Sequence, residues 1–186
     1  MVAYLKDEII SLLFISLLAF SSALADGFTL SSPTVSGQLG ISEVYNGFGC
    51  TGKNISPELS WSGAPKGTKS YALTMYDPDA PTGSGWWHWL VFNIDSKTSS
   101  LKTGAGNVKN KIAPKGSIQS VTDYKTIGFG GACPPVGHSA HQYIFTVYAL
   151  DIEKLPLDKS ANPALVGYMI NSHTLAKSSL VAYYGR

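Results

Sequence analysis

The sequence predicts a mainly β, single-domain fold with one helix near its end, and three observations lead there. Short apolar runs alternate with Gly, Pro, Ser and Asn punctuation, the pattern of strands joined by turns. Three runs, Ser70 to Tyr76, Trp89 to Ile94 and Tyr143 to Leu150, are rich in aromatic and β-branched residues and long enough to be central strands. A helix start followed by helical spacing stands out after Asn162. No internal repeat or charge block is visible, and the length suits one domain.

The first segment is not read as part of the fold. Ile9 to Phe20 is almost wholly apolar, and Ala23-Leu24-Ala25 follows with the small-x-small pattern of a signal peptidase site. The apolar run is shorter than the roughly 20 residues a membrane-spanning helix needs. Residues 1–25 are therefore expected to be a signal peptide cleaved after Ala25, leaving a domain of residues 26–186 in the periplasm or secreted. The competing reading is a retained anchor or a buried helix. Asp7 and Glu8 beside Lys6 depart from the usual positive start, as a weak signal or a misplaced initiation codon would explain.

Without that segment 13 basic and 10 acidic residues remain, a charge of +3. This is too mild to predict nucleic-acid binding. Arg186 is the only arginine, so the bidentate forks that read base edges and phosphates are missing. Nucleic acid is excluded as a partner. Cys50 and Cys133 both sit in Gly-rich loops. An even count in an exported chain reads as a disulfide, closing a loop worth up to about 4.5 kcal/mol in the chain-entropy model. The alternative, a metal or catalytic thiol, lacks a Cys-x-x-Cys spacing.

Along the chain, Phe28 to Leu30 and Leu59 to Trp61 are short strand candidates. In Ser70 to Tyr76, the side chains of Tyr71, Leu73 and Met75 share one face. Trp89 to Ile94, then Ser117 to Val121, Tyr143 to Leu150 and Leu180 to Tyr184 complete the set. The helix begins with Asn162 as N-cap and Pro163 at the first helical position, where its missing N–H costs nothing. Leu165, Val166, Met169 and Ile170 recur at helical spacing, and the helix is expected to run to about Lys177 as a lid over one sheet edge.

Asp77-Pro78-Asp79-Ala80-Pro81 follows directly on the Ser70 strand. Its prolines fix φ and stop the strand, so two carboxylates at i and i+2 are held stiffly. Alone, this is ordinary turn chemistry. Trp86-Trp87-His88-Trp89 then enters the next strand, where alternation places Trp87 and Trp89 on one face and Trp86 and His88 on the other. A lone His in an apolar strand is commonly a satisfied core residue, but this one starts a strand beside the Asp loop. A third segment, Cys133-Pro134-Pro135-Val136-Gly137-His138-Ser139-Ala140-His141-Gln142-Tyr143, delivers His141 and Tyr143 onto one face of a long strand.

These motifs together resemble the phosphatidylethanolamine-binding protein family, over nearly all of the mature chain. Asn54-Ile55-Ser56-Pro57, Tyr76 to Trp89 and Asn162-Pro163-Ala164-Leu165-Val166-Gly167 are similar to its bacterial YbhB/YbcL branch of Raf kinase inhibitor-like proteins, and most to exported members with a Cys pair. The resemblance implies a sandwich of two antiparallel sheets with a C-terminal helix, and a small pocket for phosphate-like anions. Carried over position by position, the pocket comprises Asp77, Asp79, Pro81, Trp86, His88, Pro135, His141 and Tyr143. Gln142 stands where family members usually have Arg, removing a charge from the pocket mouth.

The resemblance is against a dedicated metal, and neither a cofactor nor catalysis is expected. It points to a small anionic or phospholipid-headgroup ligand. Relatives in this branch form homodimers, which exposed Tyr183 and Tyr184 would permit here. The rival class is a protein-interaction or inhibitor module directed at a kinase, a protease or host signalling. A hydrolase ranks below both, because no Gly-x-Ser-x-Gly elbow is present. Since carboxylates repel phosphate, Asp77 and Asp79 are expected to act on the histidines, orienting His88 and His141 and raising their pKa values. The imidazoles and Tyr143 would then present donors to the anion, or an ammonium would pair with an Asp or with the face of Trp86.

Overall fold

Why these runs become strands is visible in what each face of them buries. The protein is described here by a computed structural model covering residues 27–186; the expected signal segment and its cleavage site lie outside the described residues. In chain order the elements are β1 (Thr29–Ser31), β2 (Asn46–Gly47), β3 (Cys50–Thr51), β4 (Leu59–Ser62), β5 (Ser70–Asp77), β6 (Trp86–Asp95), β7 (Ser100–Leu101), β8 (Ile118–Gln119), β9 (His141–Leu150), α1 (Pro163–Ser172) and β10 (Thr174–Tyr184).

Strands β10-β9-β5-β6-β8 form a five-stranded sheet, β1-β4-β7 a three-stranded one and β2-β3 a short ribbon. All strand pairs are antiparallel. Tyr71, Leu73 and Met75 share one face as expected, and with Val91, Ile94, Phe145 and Val147 they meet Leu59, Trp61 and Leu101 of the smaller sheet. That layer is the sandwich core. The opposite face of the large sheet carries Ala72, Leu90, Phe92 and Leu150, covered by Val166 and Ile170 of α1. Burial on both faces explains why β5 reads as a nearly continuous apolar run rather than a clean alternation.

Three expectations need correction. First, α1 ends at Ser172, not near Lys177. Its start is as read: Asn162 Oδ1 accepts the Leu165 N–H at 2.9 Å, with Pro163 opening the helix. The hydroxyls of Ser172 and Thr174 donate to the Tyr168 and Ile170 carbonyls at 2.9 and 2.7 Å and satisfy the helix end. Residues from Thr174 on instead pair along β9 from Thr174↔Leu150 to Tyr184↔His141. Tertiary pairing with an otherwise bare strand edge outweighs helix propensity there.

Second, α1 lies on the face of the large sheet against β5 and β6 residues and is no lid over its edge. Third, Trp87 and Trp89 do not share a face. Met75 pairs with Trp89 and Tyr76 with Trp87, so His88 is an extra, bulged residue that flips the alternation. Trp87 packs on the helix side and Trp89 in the sandwich core. Of the two tyrosines offered for dimerisation, Tyr183 is exposed, whereas Tyr184 packs against the core.

Candidate functional site

The bulge at the start of β6 turns the His88 ring out of the regular pleat and onto the end of the sandwich where β5 stops. There the loop Asp77–Pro81, the loop Cys133–Pro135 and the β2–β3 ribbon converge on a cavity of about 150 Å³. Its wall includes Phe48, Asp77, Pro81, Trp86, His88 and Tyr124, with Pro135 and His141 closing one side. A bond between Cys50 and Cys133 joins the ribbon to the third loop. The disulfide expected from the paired cysteines is thus present, and it braces the pocket wall.

Six of the eight expected residues line this cavity: Asp77, Pro81, Trp86, His88, Pro135 and His141. Asp79 does not; it belongs to a neighbouring crevice with His138 and Gln142. Tyr143 lies fully buried behind His88, with its ring edge-on to the imidazole at 5.2 Å. Its hydroxyl has no hydrogen-bond partner among the described residues. The Trp86 Nε1–H is buried and unpartnered in the same sense.

The carboxylates are committed to the protein. Asp77 Oδ2 accepts His141 Nδ1–H at 2.8 Å and Oδ1 accepts the Asp79 N–H at 2.8 Å. Asp79 Oδ2 accepts the Gln142 N–H at 2.7 Å, tying the loop to the start of β9. The expectation that both carboxylates serve the two imidazoles therefore holds for one pair only. His141 is oriented by Asp77, and its far nitrogen meets His138 Nδ1 at 3.2 Å.

His88 is held differently. Its Nδ1–H donates to the carbonyls of Gly130 at 2.8 Å and Gly131 at 3.1 Å. Burial of the ring outweighs the stabilisation of its charged form by these carbonyls and by Asp77 and Asp123, holding the pKa down at about 4. The expected upward shift is absent at His88 for that reason. Burial, aided by Asp77, also pushes the Tyr124 and Tyr143 phenols well above their ordinary range. Both are therefore neutral phenols rather than phenolates, and the Tyr124 hydroxyl donates to Gly131 O at 2.9 Å.

Comparison with known proteins bears on this arrangement. The family model described as phosphatidylethanolamine-binding protein matches residues 31–185. The chain belongs to the phosphatidylethanolamine-binding protein family. It is 48% identical over 165 residues to the UPF0098 protein YbcL of Escherichia coli (strain K12), covering 88% of this chain and 90% of that one. It is 49% identical over 141 residues to the UPF0098 protein YbhB of the same organism, covering 76% and 88% respectively. The crystal structure of E. coli YbcL, described as a new member of the mammalian PEBP family, superposes with a TM-score of 0.84 over 86% of this chain and 98% of that one. The sandwich and the branch read from the motifs are those of this family.

Several wall residues of this family member went unrecognised in the sequence. Phe48 had a faint signal, standing between two glycines next to Cys50. Tyr124 had none, since it lies in an irregular segment and reaches the cavity only through the fold. The same is true of the Gly130 and Gly131 carbonyls, which no side-chain motif reveals. A larger open groove of about 760 Å³ runs beside β8, lined by Val108, Ile118 and Ile127. Its buried polar residue, Gln119, is already satisfied by Trp89 Nε1 and Ala105 O.

Proposed function

We propose that this member of the phosphatidylethanolamine-binding protein family is an exported binding protein that takes a small phosphate-bearing anion in the His88 cavity and does not transform it. One observation carries the reading: which polar atoms around the cavity are already taken. Both Asp77 oxygens, His141 Nδ1 and His88 Nδ1 are bonded within the protein. The His88 ring makes its hydrogen bonds through Nδ1 and none through Nε2 among the described residues, while Trp86 Nε1, also of a wall residue, is buried without a partner. A buried polar group without a partner costs on the order of 1–3 kcal/mol, and a ligand oxygen would recover it.

Binding rather than turnover is supported by the hydroxyls and sulfur in the wall. Thr82 Oγ1 donates to Gly85 O at 2.5 Å, the Tyr124 hydroxyl donates to Gly131 O at 2.9 Å, and the Cys133 sulfur is in a disulfide. Export accords with the same disulfide, which persists in oxidising compartments. Calorimetric titration with inorganic phosphate near pH 6 tests the reading. Binding is expected, and His88→Asn should weaken it by about tenfold, the equivalent of roughly 1.5 kcal/mol for one lost charge-assisted hydrogen bond. Unchanged affinity in that variant removes the cavity as the site.

A second reading, an interaction module, is favoured by Phe48 and Val136. They are 69% and 75% exposed, next to the cavity-lining Cys133–Pro135 loop and its disulfide partner. Loss of a partner's binding in Val136→Ser, with phosphate binding retained, would select it.

A further inference from the structure

We infer that the His88 cavity takes its oxyanion together with one proton, so that it selects a phosphate group bearing an exchangeable P–OH over sulfate and over phosphodiesters. This rests on the anion-binding reading above and deepens it. Donor and acceptor polarity in the wall dictates that selectivity. Carbonyl oxygens only accept, so the two contacts from Gly130 and Gly131 require the hydrogen on Nδ1. A neutral ring then meets the cavity with the lone pair of Nε2. A fully deprotonated oxyanion would set lone pair against lone pair there. A P–OH oxygen donates to Nε2 and leaves its other oxygens to accept from the donors of the wall, such as Trp86 Nε1–H. If the proton instead rests on the ring, the complex has the same composition.

Charge and size agree. Asp77 is a carboxylate in the wall, and neither Lys nor Arg is among the wall residues; Arg186 stands behind them, its N–H groups donating to the Pro134, Gly49 and Phe48 carbonyls, so an ion of lower charge is repelled less by Asp77. At about 150 Å³ the cavity suits a tetrahedral oxyanion and is too small for an acyl chain. The titratable groups facing His88 are Asp77 on β5, Asp123 and Tyr124 in the segment after β8, and Tyr143 on β9. His141 and His138 follow behind Asp77. Asp123 is spoken for, its Oδ2 accepting the Trp87 N–H at 2.7 Å.

Calorimetry from about pH 5.5 to 8.5, across the histidine range, with methyl phosphate, dimethyl phosphate and sulfate tests this. Dimethyl phosphate has no proton to give at any of these values, so its slope isolates whatever the protein alone contributes. Relative to it, methyl phosphate affinity should fall about tenfold per pH unit above a second pKa of about 6. At about pH 7.5, paired buffers of different ionisation enthalpy should show close to one proton taken up per methyl phosphate. Near pH 6, sulfate and dimethyl phosphate should bind at least about tenfold more weakly, and His88→Asn should lose the proton uptake. Sulfate binding as tightly as methyl phosphate, or no proton uptake, overturns the inference and leaves the anion site standing. Failure of all three ligands to bind overturns the anion-binding reading and the inference with it.

Discussion

Acid should cost this protein stability through His88, and the size of the effect follows from its surroundings. In the unfolded chain the imidazole has an ordinary pKa near 6.5, whereas burial in the fold holds it at about 4. Between those values the unfolded state binds the extra proton and the folded state does not. The contribution is therefore fully present above about 6.5 and lost as pH falls toward 4. A difference of about 2.5 units corresponds to roughly 3 kcal/mol. His88→Asn is the suited comparison, because its amide keeps a donor for the Gly130 and Gly131 carbonyls but does not titrate. Urea unfolding followed by tryptophan fluorescence would be run on both proteins at about pH 7, 6, 5 and 4. Carboxylates common to the two cancel in the difference. The native protein's advantage should shrink by roughly 3 kcal/mol across the window. An advantage constant to within about 1 kcal/mol would mean that His88 is not held neutral, and the account of its burial would fail.

Three further outcomes are expected. Asn162→Ala removes the acceptor for the Leu165 N–H and should cost about 1 kcal/mol, seen as a melting point lower by roughly 2–4 °C. Gln119→Leu leaves Trp89 Nε1 and Ala105 O unpaired in the core, so urea denaturation should show a loss of about 1–3 kcal/mol for each buried orphan. Joint Cys50→Ser and Cys133→Ser substitution opens the loop that the disulfide closes. It should lower stability by about 2–4 kcal/mol and weaken phosphate binding as well, since Cys133 is part of the cavity wall.

Much of the fold was legible because local and tertiary preferences agree in it. The Ser70, Trp89 and Tyr143 runs become β5, β6 and β9, and the Asn162-Pro163 start of α1 is where the capping chemistry places it. The misreadings occur where a neighbour decides. Thr174 to Ser179 is a strand because β9 offers it an edge, which no property of Thr174-Leu175-Ala176-Lys177 records. Of the four two-residue strands, β8 falls within the Ser117 to Val121 run, whereas β2, β3 and β7 are too short to carry a period of their own. The facing of Trp87 and Trp89 depended on a bulge, and a bulge is a matter of pairing between strands. In the site, Asp77, His141 and the prolines were recognisable as side chains at fixed spacings. The partners of His88 were not, because they are main-chain oxygens 42 and 43 residues away.

That dependence on backbone explains how the parts of the pocket divide their work. Asp77 and Asp79 hold the start of β9, through His141 and the Gln142 N–H, and so set the shape of the mouth. The polarity of His88 is set from elsewhere, by the Gly130-Gly131 carbonyls, with the Gly130 N–H returning a 2.9 Å bond to His88 O. Only glycine fits there: a Cβ on Gly130 would strike the Tyr124 ring, and one on Gly131 the backbone of Glu43 to Tyr45. Asn54 fixes the same segment, its side chain accepting from Gly131 N at 2.7 Å and donating to Phe129 O at 3.1 Å. Two residues beyond, the disulfide locks Cys133 to the ribbon. The carbonyls that dictate the tautomer of His88 are therefore among the most firmly positioned atoms around the cavity. A pocket built this way can present an acceptor to its ligand without relying on an exposed, titrating side chain; Gln142 brings no charge to it, and the Arg186 guanidinium donates to the Pro134, Gly49 and Phe48 carbonyls.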